Sequence, residues 1–126
     1  MSLTAEPGYS PPVAPAPTVL DERAPVANLT RNIVIQGIDD AAWRTAGFGA
    51  HVMVMDLRSK IVIDGVEMRR MGQAGALGRY PMHWHMLSYA NGSLLGDAVG
   101  HSIKNSAIWQ SAQRCIVLHA TNGVEV

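Results

Sequence analysis

"IVIDGV", residues 61 to 66, reads as a short aliphatic strand running into a polar corner, and its copies elsewhere in the chain decide the fold. "IVIQGI" at 33 to 38 and "HSIKNS" at 101 to 106 share the same order: aliphatic, polar, Gly or Asn, then a strand residue. Their third-position isoleucines, Ile35, Ile63 and Ile103, stand 28 and 40 residues apart. A fourth, partial copy starts at "GVEV", which places Val126 23 residues after Ile103. A second element follows in each interval: "HVMVM" (51 to 55), "PMHWH" (81 to 85) and "CIVLH" (115 to 119).

Strand, tight corner, strand and a loop of variable length, repeated at unequal intervals, describe the coils of a parallel β-helix. One coil cannot bury its own apolar face. Coils stacked at about 4.8 Å share a continuous core and pair each other's backbone groups. The expected fold is therefore all-β, a right-handed parallel β-helix (a single-stranded solenoid) of about three coils. An antiparallel sandwich of short strands is the alternative. Gly37, Gly65 and Asn105 fall at the same corner of the repeat, where a left-handed or bridging backbone suits these residue types. "GQAGALGR" and "LSYANGSLLGDAVG" read as loops leaving the stack, and "DDAAWRTAG" (39 to 47) as one helical turn capped by Asp39 or Asp40.

Composition limits the rest. The chain has 126 residues, 48% of them apolar, which is enough for one domain with a real core. Ten basic and ten acidic residues cancel without forming a stripe, so nucleic acid is not an expected partner. No apolar run approaches the roughly 20 residues of a membrane helix, so membrane insertion by this segment is not expected. The proline-rich residues 1–17 read as a disordered lead-in with no signal-peptide core, and 18–126 as the β-helix segment. "HATNGVEV" ends in what looks like a new strand, so the chain is expected to be a fragment. Its exposed end coils would favour self-association. With one cysteine, Cys115, no internal disulfide can form.

Side chains alternate across a strand. In the second elements one parity reads Val52 and Val54, Met82 and Trp84, Ile116 and Leu118, all apolar and therefore inward. The other reads His51, Met53, Met55; Pro81, His83, His85; Cys115, Val117, His119, and points outward. In this register His85 and His119 sit at equivalent positions on neighbouring coils, with His83 about 7 Å from His85 along the strand. Arg79 and Tyr80 enter at the edge of the patch, and Arg114 is near it.

Three uses of that face compete. Histidines on an exposed sheet need no function, and the segment can be a structural spacer. A shallow sugar groove is the second reading: Tyr80 and Tyr89 would stack on pyranose rings, while Arg79, Arg114, His83, His85 and His119 donate to hydroxyls and carboxylates. The third is a site for a divalent metal on His83, His85 and His119, completed by Asp97 or water. No cofactor is required otherwise. A glycosidase would need two spaced carboxylates. Of the candidates Asp56, Asp64, Glu67 and Asp97, Asp64 reads as a corner residue, and Glu67 as a partner of Arg69 or Arg70 on a solvated strand. Cys115 lies about 13 Å along the strand from His119, too far for a nucleophile and its base, and reads as structural. Met68, Met71, Met82 and Met86 read as core and rim.

The runs "LTRNIVIQG", "GFGAHVMVMD", "GVEMRRMGQAGALGRYPMHWHML" and "NSAIWQSAQRCIVLHATNGVEV" resemble the parallel β-helix region of G8-domain proteins. That group includes the cell migration-inducing hyaluronan-binding protein, the transmembrane cell-surface hyaluronidase, fibrocystin and bacterial secreted relatives. The resemblance covers roughly residues 18 to 126, and the "GQAGALGRYPMHWH" segment is its most specific part. It implies a larger extracellular or cell-surface protein connected with polysaccharides, hyaluronan among them, which some animal members depolymerise. The matching positions are Gly72, Gln73, Gly78, Arg79, Tyr80, Pro81, His83, His85, Arg114 and His119. Any enzymatic activity is expected of a longer parent and not of this segment alone.

Overall fold

The computed structural model describes residues 30–126, so the lead-in at 1–17 lies outside the described residues. Short strands dominate: β1 (Ile33–Gln36), β2 (Val52–Val54), β3 (Val62–Asp64), β4 (Val66–Met71), β5 (Met82–His85), β6 (Tyr89–Ala90), β7 (Ser93–Leu94), β8 (Ser102–Lys104), β9 (Ala107–Ser111) and β10 (Ile116–His119). The helix among them, α1 (Ala41–Ala46), has Asp40 as its N-cap, accepting from the Trp43 amide at 2.9 Å. Gly47 ends it in the left-handed conformation.

Among the described residues, all pairings between these strands except the β6–β7 hairpin are parallel, and they form three sheets: β1-β4-β9, β2-β5-β10 and β3-β8. The chain visits these sheets in a repeating order, and Glu125 returns to lie beside Ser102 in the third. The "GVEV" copy therefore joins the "HSIKNS" strand as its spacing predicts. Ile63 stands directly beside Ile103, and the residues that follow, Gly65 and Asn105, both take the left-handed corner. Asn105 also donates to the Asp64 carboxylate at 2.9 Å, the corner role expected of Asp64.

The "IVIQGI" assignment needs correction. Its strand pairs with β4 and not with β3, so Ile35 stands beside Met68 and one sheet away from Ile63. Gly37 is not a left-handed corner. A Cβ there would lie 2.2 Å from the Arg70 carbonyl oxygen, so glycine is needed for close backbone approach. Two different requirements produced the same aliphatic-polar-Gly pattern.

The core runs between the sheets: Val54, Ile63, Val66, Met68, Met71, Met82, Trp84, Leu87 and Ile103 are all buried. Each large apolar side chain so removed from water contributes about 1.5–3 kcal/mol. Met68, Met71 and Met82 are core as expected. Leu118 was expected to be buried too, but is 44% exposed because β10 is an edge strand of its sheet. Glu67 departs from the solvated reading in the opposite direction. It is buried, with Trp109 donating to its carboxylate at 3.0 Å and Arg69 3.3 Å away.

The largest core side chain depends on the first residue of "HSIKNS", to which the repeat assigned no role. Trp84 Nε1–H donates to Nδ1 of buried His101 at 3.2 Å. Because indole nitrogen only donates, that imidazole nitrogen must carry a lone pair. Burial, reinforced by Lys60, holds His101 below its ordinary value of 6.5. A histidine whose folded value is depressed adds stability that is complete above the unfolded value and lost as pH falls through the folded one. The urea midpoint is expected to fall as pH drops from about 7 towards 5. His101→Asn should flatten that slope; an unchanged slope would show that His101 is not the group titrating.

Candidate functional site

Strands β2, β5 and β10 lie side by side with Val52, Met82 and Ile116 in one row and Val54, Trp84 and Leu118 in another. The pleat then turns the intervening row, Met53, His83 and Val117, to the opposite face. His85 pairs with His119 at the end of the strands. The imidazole rings gather there: His83 and His85 have centroids 5.0 Å apart, His85 and His119 also 5.0 Å, and His83 and His119 are stacked at 6.4 Å. Nδ1 of His119 lies 3.1 Å from Nδ1 of His85. If both rings are neutral, one of these nitrogens donates to the other.

His83 differs from the expected exposed position. It is 2% exposed, because Tyr80 packs edge-on against its ring and the neighbouring histidines cover it. Pro81, also expected outward, is buried as well. His83 Nδ1 sits 3.0 Å from the Gly78 carbonyl oxygen. A carbonyl only accepts, so the proton is on Nδ1 and the lone pair is on Nε2. That Nε2 is buried and has no hydrogen-bond partner among the described residues. Burial lowers the His83 pKa, the Gly78 carbonyl opposes this, and His85 and His119 add to the lowering.

Beside the cluster is an open depression of about 490 Å³, lined by Tyr80, His83, His85 and His119 with Leu77, Gly78, Val117 and Leu118. Of the expected site residues, Tyr80 and the three histidines therefore come together. Arg79 does not line the depression; it donates to His51 Nε2 at 2.7 Å. Arg114 is in the turn before β10 and outside the lining, its amide bonded to the Gln113 side chain. Tyr89, the second stacking candidate, is in the β6–β7 hairpin within reach of Asn122. Asp97 does not stand with the three histidines; its Oδ1 accepts from the Val99 amide in its own loop. Cys115 is an exposed free thiol, on the outward side expected from the alternation.

An all-β chain of parallel sheets, carrying an imidazole cluster on one face, is the class of protein that fold and site define. The family model described as CEMIP beta-helix matches residues 47–126, and the chain belongs to that family. It is 38% identical over 104 residues to a G8 domain-containing protein of Dictyostelium discoideum, covering 82% of this chain and 8% of that protein. It is 36% identical over 117 residues to the Cell surface hyaluronidase CEMIP2 of Homo sapiens, covering 83% and 8%. To the Cell surface hyaluronidase of Danio rerio it is 30% identical over 116 residues, covering 85% and 8%. The chain thus spans about 8% of the length of these relatives. No solved structure matches it. Among the described residues, no helix is long and apolar enough to cross a membrane.

Proposed function

We propose that this chain is a segment of right-handed parallel β-helix from a cell-surface or extracellular protein, and that its histidine face binds an acidic polysaccharide of the hyaluronan type. The observation that carries the reading is the depression lined by Tyr80, His83, His85 and His119, in a chain whose relatives include two named as cell surface hyaluronidases. The recurring order of parallel sheets supports the solenoid, since parallel crossovers are right-handed in nearly all proteins. The chemistry supports the ligand. Imidazole N–H groups donate to hydroxyls and carboxylates, the exposed Leu77 and half-exposed Leu118 offer apolar surface to a sugar ring face, and the volume is within the range of small-ligand sites. Arg79 and Arg114, in the turns leading into β5 and β10 and outside the lining itself, are the cations from which an acidic chain extending past the depression would draw charge. Binding is the activity assigned to this segment, and chain cleavage is assigned to the longer parent.

Calorimetric titration with hyaluronan oligosaccharides, against neutral dextran of matched length, tests the reading. The wild-type chain is expected to bind the acidic sugar and not dextran. Arg79→Ala and His119→Ala should each weaken binding about tenfold, roughly 1.4 kcal/mol. Equal affinity for dextran, or full hyaluronan affinity in both variants, would sink the proposal.

A further inference from the structure

We infer that His83, His85 and His119 form a three-imidazole site for a zinc-class divalent metal, with its remaining coordination position open to the depression. The inference stands on geometry and does not rest on the sugar reading. One ring nitrogen from each residue lies within 4.8 Å of the others, and the His85 and His119 nitrogens are already 3.1 Å apart. Around tetrahedral zinc with Zn–N near 2.0–2.1 Å, neighbouring ligand atoms stand about 3.3 Å apart. One pair is thus at chelating distance, and the third nitrogen needs a shift of the size that side-chain rotation supplies.

The second, independent observation is the orientation of His83. Its Nδ1–H is held by the Gly78 carbonyl, which fixes the tautomer and leaves Nε2 as a bare lone pair. That nitrogen is buried without a partner, on a side chain 2% exposed. An unpaired buried acceptor costs free energy that nothing among the described residues offsets. A backbone carbonyl holding the far nitrogen of a histidine is also the outer-shell arrangement found behind metal-ligating imidazoles. The strand register explains why these three meet: His83 and His85 share one face of β5, and His119 is the cross-strand partner of His85.

The ligand set selects the metal. Three imidazoles and no carboxylate suit borderline ions such as zinc or cobalt, while calcium and magnesium require oxygen donors. Three protein ligands leave a tetrahedral ion one position for water or for an anionic group of a bound molecule.

The test is metal titration of the tag-free 126-residue chain, stripped with chelator, using Zn(II), Co(II) and Ca(II) separately. Expected are one Zn(II) or Co(II) per chain, a visible cobalt spectrum of tetrahedral type, a rise in Tm with Zn(II), and no Ca(II) bound. His85→Ala and His119→Ala alter half-buried or exposed side chains, and each should weaken Zn(II) about 100-fold or more, beyond the loss seen for outer-shell changes. Cys115→Ser should leave affinity and stoichiometry unchanged, which removes the exposed thiol as a ligand. If an alanine variant does not fold, His119→Gln takes its place. Nitrogen NMR of the wild-type chain should show a metal-induced shift at His83 Nε2 and none at His83 Nδ1. The site is overturned by absence of Zn(II) binding, by full affinity in the His85 and His119 variants, or by a cobalt spectrum that requires Cys115.

Discussion

Trp84→Ala is expected to lower the unfolding free energy by about 3–5 kcal/mol, the range for removing a fully buried large aromatic. Trp84 is fully buried on the central strand β5, with Val54 of β2 and Leu118 of β10 beside it in its row. The alanine leaves a cavity and also deprives buried His101 of the N–H that meets its Nδ1, a further penalty of about 1–3 kcal/mol unless water enters. Small domains have about 5–15 kcal/mol in total, so the variant should be largely unfolded near the lower end of that range. Trp84→Phe keeps most of the volume and loses only the hydrogen bond, so it should fall between wild type and alanine. Equilibrium urea denaturation followed by circular dichroism measures all three. A Trp84→Ala variant within 1 kcal/mol of wild type would mean that this side chain does not hold the core together.

Gly37→Ala is expected to cost about 3 kcal/mol or more, at the upper end of overpacking penalties, because the obstacle is backbone. The added Cβ would meet the Arg70 carbonyl oxygen at 2.2 Å and the Ala50 amide nitrogen at 3.0 Å, and neither can rotate away. Gly65→Ala makes the opposite case. Nothing lies within 4 Å of a Cβ there, but the residue has φ of +64°, so alanine costs only the roughly 1–2 kcal/mol of left-handed strain. Asparagine separates the two mechanisms, since it tolerates the left-handed region and occupies the equivalent corner at Asn105. Gly65→Asn should be nearly neutral, whereas Gly37→Asn should be as damaging as Gly37→Ala. Equal responses at the two glycines would contradict the assignment of β1 beside β4.

That contrast shows where reading the chain in one dimension stops. The register of β2, β5 and β10 was legible because alternation has a period of two, and a slip of one residue would put Trp84 outside and His85 inside. The same rule places His85 beside His119. The corner at Gly65 and Asn105 was legible because few residue types accept its backbone. Gly37 was not, because a close approach by a distant carbonyl leaves the same glycine in the sequence as a left-handed turn.

By itself, then, the sequence determined which faces the second-element strands present and which of their histidines align, because both follow from local periodicity. Only the tertiary structure decided how deep each side chain sits. His83 is covered by Tyr80 and its neighbouring imidazoles, Glu67 by Trp109, and Trp84 is satisfied by His101 from a loop. Depth depends on what other turns of the chain lay across a residue, and no period within one strand records that.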